Sequence, residues 1–375
     1  MTELKGMTWN HSRGYDPMVA TSRAYNEAHP DIRITWEQRS LQAFADYPLN
    51  ELAREYDLIV IDHPHVGAAA GQGCLAPLDG VGRDRELALL AAQTVGHSHV
   101  SYQYEGRQWA LAIDAATQVA AFRPDLISQP PTRWAEVVEL GREGRVLWPI
   151  KPVDALMGFY TLAANRGTPC AEQEDLLIAA ADGLAVLDAL RSLSINVPRE
   201  CLEMNPIEVL DWLSRDGTYA YSPLLYGYTN YSRNGFRPHV VRFSDIPAIG
   251  EDGPCGSALG GTGIAVSAYC QASHAAIDYA YWIAGAECQK GLYFESGGQP
   301  GNAAAWSDPL LNEVSHDFFS ATRATLEQAW LRPRYDTYLR FQDVGGDLVN
   351  AFLGGKTSPE KTLSGLQAAY LATRT

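Results

Sequence analysis

Gly106-Arg-Gln-Trp-Ala-Leu-Ala-Ile-Asp-Ala-Ala-Thr-Gln-Val-Ala-Ala-Phe-Arg-Pro-Asp-Leu-Ile127, followed by Pro130-Pro-Thr-Arg-Trp134, is the stretch on which the reading of this chain turns. An apolar strand reaches Asp114, small residues follow, and a second apolar strand runs from Val119 to Phe122. A Pro-Asp turn and a Pro-Pro-Thr-x-Trp helix start close the stretch. Asp114 is therefore a carboxylate at a strand end, within an otherwise apolar and small-residue segment.

Upstream, Leu4 to Trp9 reads as a strand, followed by the loop Asn10-His-Ser-Arg-Gly-Tyr15. Asp16 then Pro17 predicts a helix start, with an N-cap acceptor and proline at N1. That helix is expected to stop before His29-Pro30, because a residue preceding proline avoids the helical region. Ile32, Ile34 and Trp36 alternate, which puts them on one face of a second strand. Tyr56-Asp-Leu-Ile-Val-Ile-Asp62 is a continuous apolar run, as expected of a strand buried on both faces of a parallel sheet. Strands alternating with helices are α/β punctuation.

Downstream, a second α/β region is expected from about Ala115 to Val240, with Arg145-Val-Leu-Trp-Pro149, a helix from Asp154 to Asn165 and an amphipathic segment from Leu176 to Leu193. Gly260-Gly-Thr-Gly-Ile-Ala-Val-Ser267 reads as a strand led by glycines. Ser273 caps a long helix through Ala276, Ile277, Ala280, Ile283 and Ala284, and Gly297-Gly298 stops it.

The chain has 375 residues, 46% hydrophobic and 19% charged, which fits a folded protein with room for large cores. Its net charge of −15 makes phosphate backbones and anionic lipid poor partners. No run approaches the roughly 18 apolar residues of a membrane span. Met1-Thr-Glu-Leu-Lys-Gly-Met-Thr-Trp-Asn10 shows no apolar leader core. Two expectations stay open: a leader removed from a periplasmic protein, or a cytoplasmic protein. The six cysteines form no CxxC pair and read as small buried residues.

Several segments, taken in order, resemble the family 1 extracellular solute-binding proteins, the maltose-binding-like receptors of ABC importers. They are the Gly106–Trp134 stretch, Gly217-Thr-Tyr-Ala-Tyr-Ser-Pro223, the glycine-led strand at 260, Gln289 to Tyr293, Gly297-Gly-Gln-Pro300 and Arg332-Pro-Arg-Tyr335. The resemblance covers nearly the whole chain and rests on this shared order. It implies an α/β, two-lobed periplasmic-binding-protein fold of type II, with interleaved lobes joined by a multi-strand hinge. Lobe one would take residues 1–113 and 245–310, lobe two residues 114–244 and 311–375, with the last helices free to pack on either. Such a protein binds one small polar solute, a carbohydrate or related molecule, in the inter-lobe cleft and closes by hinge motion. The implied partners are the small-molecule ligand and the permease subunits of an ABC transporter. A monomer, no nucleic acid and no cofactor are expected.

Open parallel sheets gather ligands beyond the carboxyl ends of their strands. Applied to the strand ends above, the rule nominates Trp9, Asn10, His11, Asp62 and His63 from lobe one and Trp148, Tyr221 and Tyr226 from lobe two, with Asp114 at the crossing; Gly261 of lobe one, ahead of its strand, Tyr160 of lobe two and Trp306 are further candidates. Aromatic faces beside Asn, Asp and His suit a sugar, which offers C–H faces and hydroxyls. The amides of Gly260-Gly261-Thr262 offer donors for a ligand oxygen. Asp62-His-Pro-His65 lacks the helical spacing of a zinc site and has no third distant ligand, so no metal is assigned. Its expected state is one histidine hydrogen-bonding and one exposed; His97 and His99 are expected in solvent. Two alternatives remain: an intracellular enzyme on the same fold, using His11, Asp62 and His63 as acid and base, or a cytosolic ligand sensor.

Overall fold

The computed structural model describes residues 1–40 and 48–374. The chain divides into two compact units. The first holds Met1–Ala116, Gly260–Leu311 and Arg334–Asp336; the second holds Thr117–Leu259, Asn312–Pro333 and Thr337–Thr375. Residues 245–259, expected with the first lobe, fall in the second unit. Side chains tie them there: Ser257 Oγ donates to the Gln118 carbonyl at 2.6 Å, and Asn165 Nδ2 donates to the carbonyls of Gly253 and Cys255, each at 2.8 Å. The last two helices also belong to the second unit.

The first unit is built on a sheet ordered β2-β1-β3-β11-β4, with β7 also paired to β11. Its strands are β1 (Thr2–Trp9), β2 (Ile32–Arg39), β3 (Leu58–Asp62), β4 (Leu75–Ala76), β7 (Leu111–Ala112) and β11 (Thr262–Ser267). A separate hairpin, β5 (Gln103–Tyr104) with β6 (Arg107–Gln108), turns through Glu105 and Gly106 at positive φ. β1 runs parallel to β2 and β3, whereas β11 is antiparallel to β3. The apolar run of β3 is buried through Ile61, as its sequence requires. Ile34 and Trp36 are buried on one face of β2, and Ile32 is partly covered. Gly6 makes room for the Trp36 ring, since a Cβ there would lie 2.5 Å from it.

The first helix spans Ser12–Ala28, one turn earlier than the Asp16-Pro17 signal predicts. His11 is its N-cap, with Nδ1 accepting from the Arg13 amide at 3.0 Å, and Pro17 lies inside the helix. Proline is tolerated there at the cost of one backbone bond to the preceding turn. The helix at Ser273 ends earlier than predicted, at Ala284; Gly285 breaks it, and a further helical segment including a π-turn at Gln289–Tyr293 leads to Gly297 at φ +104°.

The second unit has a three-stranded sheet, β10-β8-β9, entirely antiparallel: β8 (Gln118–Phe122), β9 (Tyr221–Tyr226) and β10 (Arg242–Ser244). The 145–149 segment is no strand; Val146 makes only an isolated bridge to Tyr221. Helices dominate instead, including Pro152–Asn165, Ala180–Ser194, Tyr338–Leu353 and Pro359–Ala372. Gly346 lets Tyr338–Leu353 pass close to the start of Pro152–Asn165, for a Cβ would lie 2.7 Å from the Pro152 carbonyl.

Candidate functional site

The first unit places polar groups at one edge of its sheet. β1 ends at Trp9, β3 ends at Asp62, and antiparallel β11 begins at Thr262 at that same edge, with Thr262 opposite Asp62. Shared register also fixes faces. Gly6, Trp36 and Leu58 are Cα partners across three strands, and strand side chains alternate, so Asp62 and Thr262 lie on the face shared with Trp36. That face carries the Ser12–Ala28 helix, since Thr8 Oγ1 donates to the Gly14 carbonyl at 3.1 Å and Trp36 Nε1 donates to Ser22 Oγ at 2.5 Å.

Asp114 is buried at the crossing and engaged by a residue the sequence reading did not nominate. Arg13 Nε donates to Asp114 Oδ2 at 2.7 Å, and a second guanidinium nitrogen donates to Oδ1. The pair is bidentate and desolvated, with side-chain exposures of 5% and 0%. Burial pushes the Asp114 carboxyl above its ordinary range, the Arg13 guanidinium opposes the shift, and nearby Asp62 adds to it. Arg13 sits in the 10–15 loop read from sequence, but nothing local indicates that it reaches a carboxylate 101 residues away.

The glycines at 260 and 261 serve the backbone first. The Gly260 amide donates to Ala116 O, the Thr262 amide to Asp114 O, and the Thr262 carbonyl accepts from both Ile113 and Asp114. Two of the three amides expected to face a ligand are therefore used in holding the crossing segment. Gly261 has φ +86°, and a Cβ would lie 2.4 Å from the Asp114 carbonyl, so only glycine fits. Its carbonyl accepts from Tyr102 Oη at 3.2 Å.

Among the other first-unit candidates, Asn10 is exposed, while His11 and Asp62 are partly exposed. Trp9 is buried against Gly14. His63 is buried edge-on to Tyr102, at 6.4 Å between ring centroids. His65 and His99 are buried too, contrary to the solvent positions expected for one histidine of the pair and for His99; burial holds His99 below the ordinary histidine range. Trp306 is buried, with Nε1 donating to the Pro300 carbonyl at 2.7 Å, and packs as core.

In the second unit the corrections are larger. Trp148 is fully buried, edge-on to Trp134 and tight against Gly158, and Tyr221 is fully buried with its hydroxyl donating to the Pro131 carbonyl at 3.4 Å. Both are core residues. They were nominated as ends of parallel strands, and this sheet has none. Tyr160 is buried against Trp330, with ring centroids 4.8 Å apart. Tyr226, the last residue of β9, is partly exposed and pairs with Gln118 in the ladder.

Gln118 is the second residue that sequence reasoning missed. It is fully buried; Oε1 accepts from Thr161 Oγ1 at 2.6 Å, while Nε2 has no partner among the described residues. The signal was available, because Gln118 opens an otherwise apolar strand. A buried amide with one end fixed and one end unsatisfied is a high-stakes group.

The comparisons agree with this architecture. The family model of the bacterial extracellular solute-binding proteins matches residues 20–313.

This chain belongs to that family.

Solved structures similar to this solute-binding protein include a maltose-bound MalE3 of T. maritima, at 16% identity, covering 99% of each chain with a TM-score of 0.85. A second is an ABC transporter solute-binding protein from Agrobacterium radiobacter K84 in complex with ribitol, at 21% identity, 99% and 98% coverage and a TM-score of 0.81. A third, from Thermotoga lettingae TMO and bound with α-D-tagatose, shows 14% identity, full coverage of both chains (100% each) and a TM-score of 0.84. The fold is the maltose-binding-like, type II periplasmic-binding-protein fold expected from the sequence. The protein binds a solute, and its family is one of binding proteins, not enzymes. The acid–base alternative through His11, Asp62 and His63 gains no support.

Proposed function

We propose that this solute-binding protein takes one neutral, polyhydroxylated solute, a carbohydrate or sugar alcohol, and delivers it as a monomer to the permease of an ABC importer. The observation that carries this reading is the edge of the first unit's sheet. The strongest charges there, Arg13 and Asp114, neutralise each other in a bidentate pair. What remains there for a solute is a set of hydrogen-bonding groups, Asn10, the Asp62 carboxylate and the Thr262 hydroxyl; the second unit has its own candidates in Tyr226 and Gln118. Such groups can donate to and accept from solute hydroxyls, with the Asp62 carboxylate as a strong acceptor for one of them. The maltose, ribitol and tagatose held by similar structures are of this chemical class. On this reading the two compact units are the two lobes of the fold.

Isothermal titration of the purified, dialysed protein with maltose, ribitol and α-D-tagatose tests this. Saturable binding of at least one, at one per chain, is expected. Selective binding of a charged amino acid or a peptide, with no response to any polyol, would refute it. Sedimentation measured with and without the bound solute tests the monomer.

A further inference from the structure

Thr262 differs from every other polar residue at the first unit's edge. Its residue is 6% exposed, and its hydroxyl has no partner among the described residues. Its backbone is locked: the amide donates to Asp114 O at 3.1 Å, and the carbonyl accepts from the amides of Ile113 at 3.1 Å and Asp114 at 3.0 Å. A β-branched side chain on so fixed a backbone has little rotamer freedom. The hydroxyl is thus held in place with no group among the described residues to bond. Leaving a buried hydroxyl unmet costs free energy.

Its surroundings say what it is held for. Thr262 lies opposite Asp62 in the β3–β11 ladder and on the same face. That face also carries the start of the Ser12–Ala28 helix, and Arg13 on its first turn binds Asp114, whose carbonyl accepts the Thr262 amide. The opposite face is filled: the Tyr102 ring occupies the space beside Gly263, where a Cβ would lie 2.8 Å from it. A carboxylate acceptor beside a hydroxyl that both donates and accepts is complementary to a solute hydroxyl.

We infer that Thr262 is a specificity-determining residue, whose hydroxyl, with Asp62, receives one hydroxyl group of the solute. This rests on the solute reading above and deepens it. A solute lacking that hydroxyl leaves Thr262 unmet in the complex and is discriminated against for that reason.

Thr262→Val keeps the shape and removes the hydroxyl, and Thr262→Ser keeps the hydroxyl. Melting temperatures of the solute-free proteins are compared first, then dissociation constants for maltose, ribitol and α-D-tagatose. The valine variant is expected to melt at or above the wild-type temperature, because it loses no protein hydrogen bond. For whichever probe the wild type binds, its Kd should rise roughly ten- to a hundredfold, with the serine variant restored to within a few-fold. An unchanged Kd would overturn the inference. So would a solute-free melting temperature lowered by several degrees in Thr262→Val and restored by Thr262→Ser, since the hydroxyl would then serve the fold. If the wild type binds none of the three probes, the polyol reading fails separately. The solute-free comparison then decides for Thr262 alone: an unlowered temperature supports it and a lowered one overturns it.

Discussion

The two units solve the same problem, a polar edge on an apolar sheet, with opposite strand geometry. In the first, β1, β2 and β3 run parallel, so their carboxyl ends share one edge, and Trp9, Asp62 and the start of the Ser12–Ala28 helix, with its cap His11 and with Arg13, gather there. In the second, β8 lies antiparallel to both its neighbours, so strand ends alternate and no edge collects them. There the polar groups come instead from Gln118, which opens β8, and Tyr226, which ends β9, placed together by ladder register. Reasoning from strand ends therefore names residues that lie along the first unit's edge, while in the second unit it names Tyr226, at the end of β9, together with residues that lie in the core. Trp148 and Tyr221, nominated by that reasoning, are core.

The difference extends to electrostatics, and the largest expected effect follows from it. The first unit buries a charge with its partner; the second buries a carboxyl, Asp154, that has no ion-pair partner among the described residues. Arg13→Met removes one half of the Arg13–Asp114 pair and leaves a desolvated carboxylate. Breaking a buried pair in this way costs about 3–5 kcal/mol. Urea unfolding at pH 7 is expected to show a loss of this size. The loss should shrink toward pH 5, because Asp114 without Arg13 takes up a proton more readily. Adding Asp114→Leu should recover most of it. A loss under about 1 kcal/mol at pH 7 would place the pair with surface ion pairs, in conflict with its burial.

Asp154, in the first turn of the Pro152–Asn165 helix, is the contrasting group. Burial raises its carboxyl from 3.8 to about 8, with Lys151 opposing the shift and Glu208 adding to it. The sign follows from proton binding. Between these two values the folded state holds a proton that the unfolded chain releases, so the contribution is fully present below about pH 4 and is lost as pH rises toward 8. Asp154→Asn, neutral throughout, should flatten this part of the pH profile and stabilise the protein relative to wild type at pH 8. Each unit of pKa elevation is worth about 1.4 kcal/mol at the alkaline end. Melting curves from pH 5 to 8 measure it. Parallel wild-type and variant profiles would show that Asp154 is ionised in the folded protein.

How much of this was legible in the chain depends on whether the signal was local. The apolar run at 58–61, the alternation of Ile34 and Trp36 and the glycine-led strand at 262 are carried by neighbouring residues, and the strands form where those patterns lie. The helix start was misread because Asp16-Pro17 is a good local signal, yet His11 caps the helix a turn earlier. Burial of His65 and His99 depends on elements packed over them from elsewhere in the chain, which periodicity does not report. At the candidate site, Asp62 could be found as a strand-end residue and Gly261 as a residue just ahead of its strand. Arg13 could not be paired with Asp114, because that contact joins positions 101 residues apart.

Gln118 gives the smallest expected effect on stability and the sharpest comparison of the two edges. In Gln118→Met the volume is nearly kept, the acceptor for Thr161 Oγ1 is lost, and the unsatisfied Nε2 disappears with it. The first change costs about 1 kcal/mol and the second offsets part of that, since an unmet buried donor is itself unfavourable. The melting temperature should therefore move by only a few degrees. Solute affinity responds differently if the free amide hydrogens address the solute: the Kd for the polyol bound by the wild type should rise about tenfold, on the order of one lost hydrogen bond. Gln118→Glu is the control, because it retains an oxygen for Thr161 but replaces the donor with an acceptor, and it should bind at least as poorly as the methionine variant. An unchanged Kd in both variants would make Gln118 a core residue and leave Tyr226 as the second unit's candidate contact from the sheet. A loss comparable to that of Thr262→Val, measured on the same solute, would mean that each sheet supplies a fixed hydrogen-bonding group from the first residue of an antiparallel-paired strand, Thr262 opposite Asp62 and Gln118 opposite Tyr226.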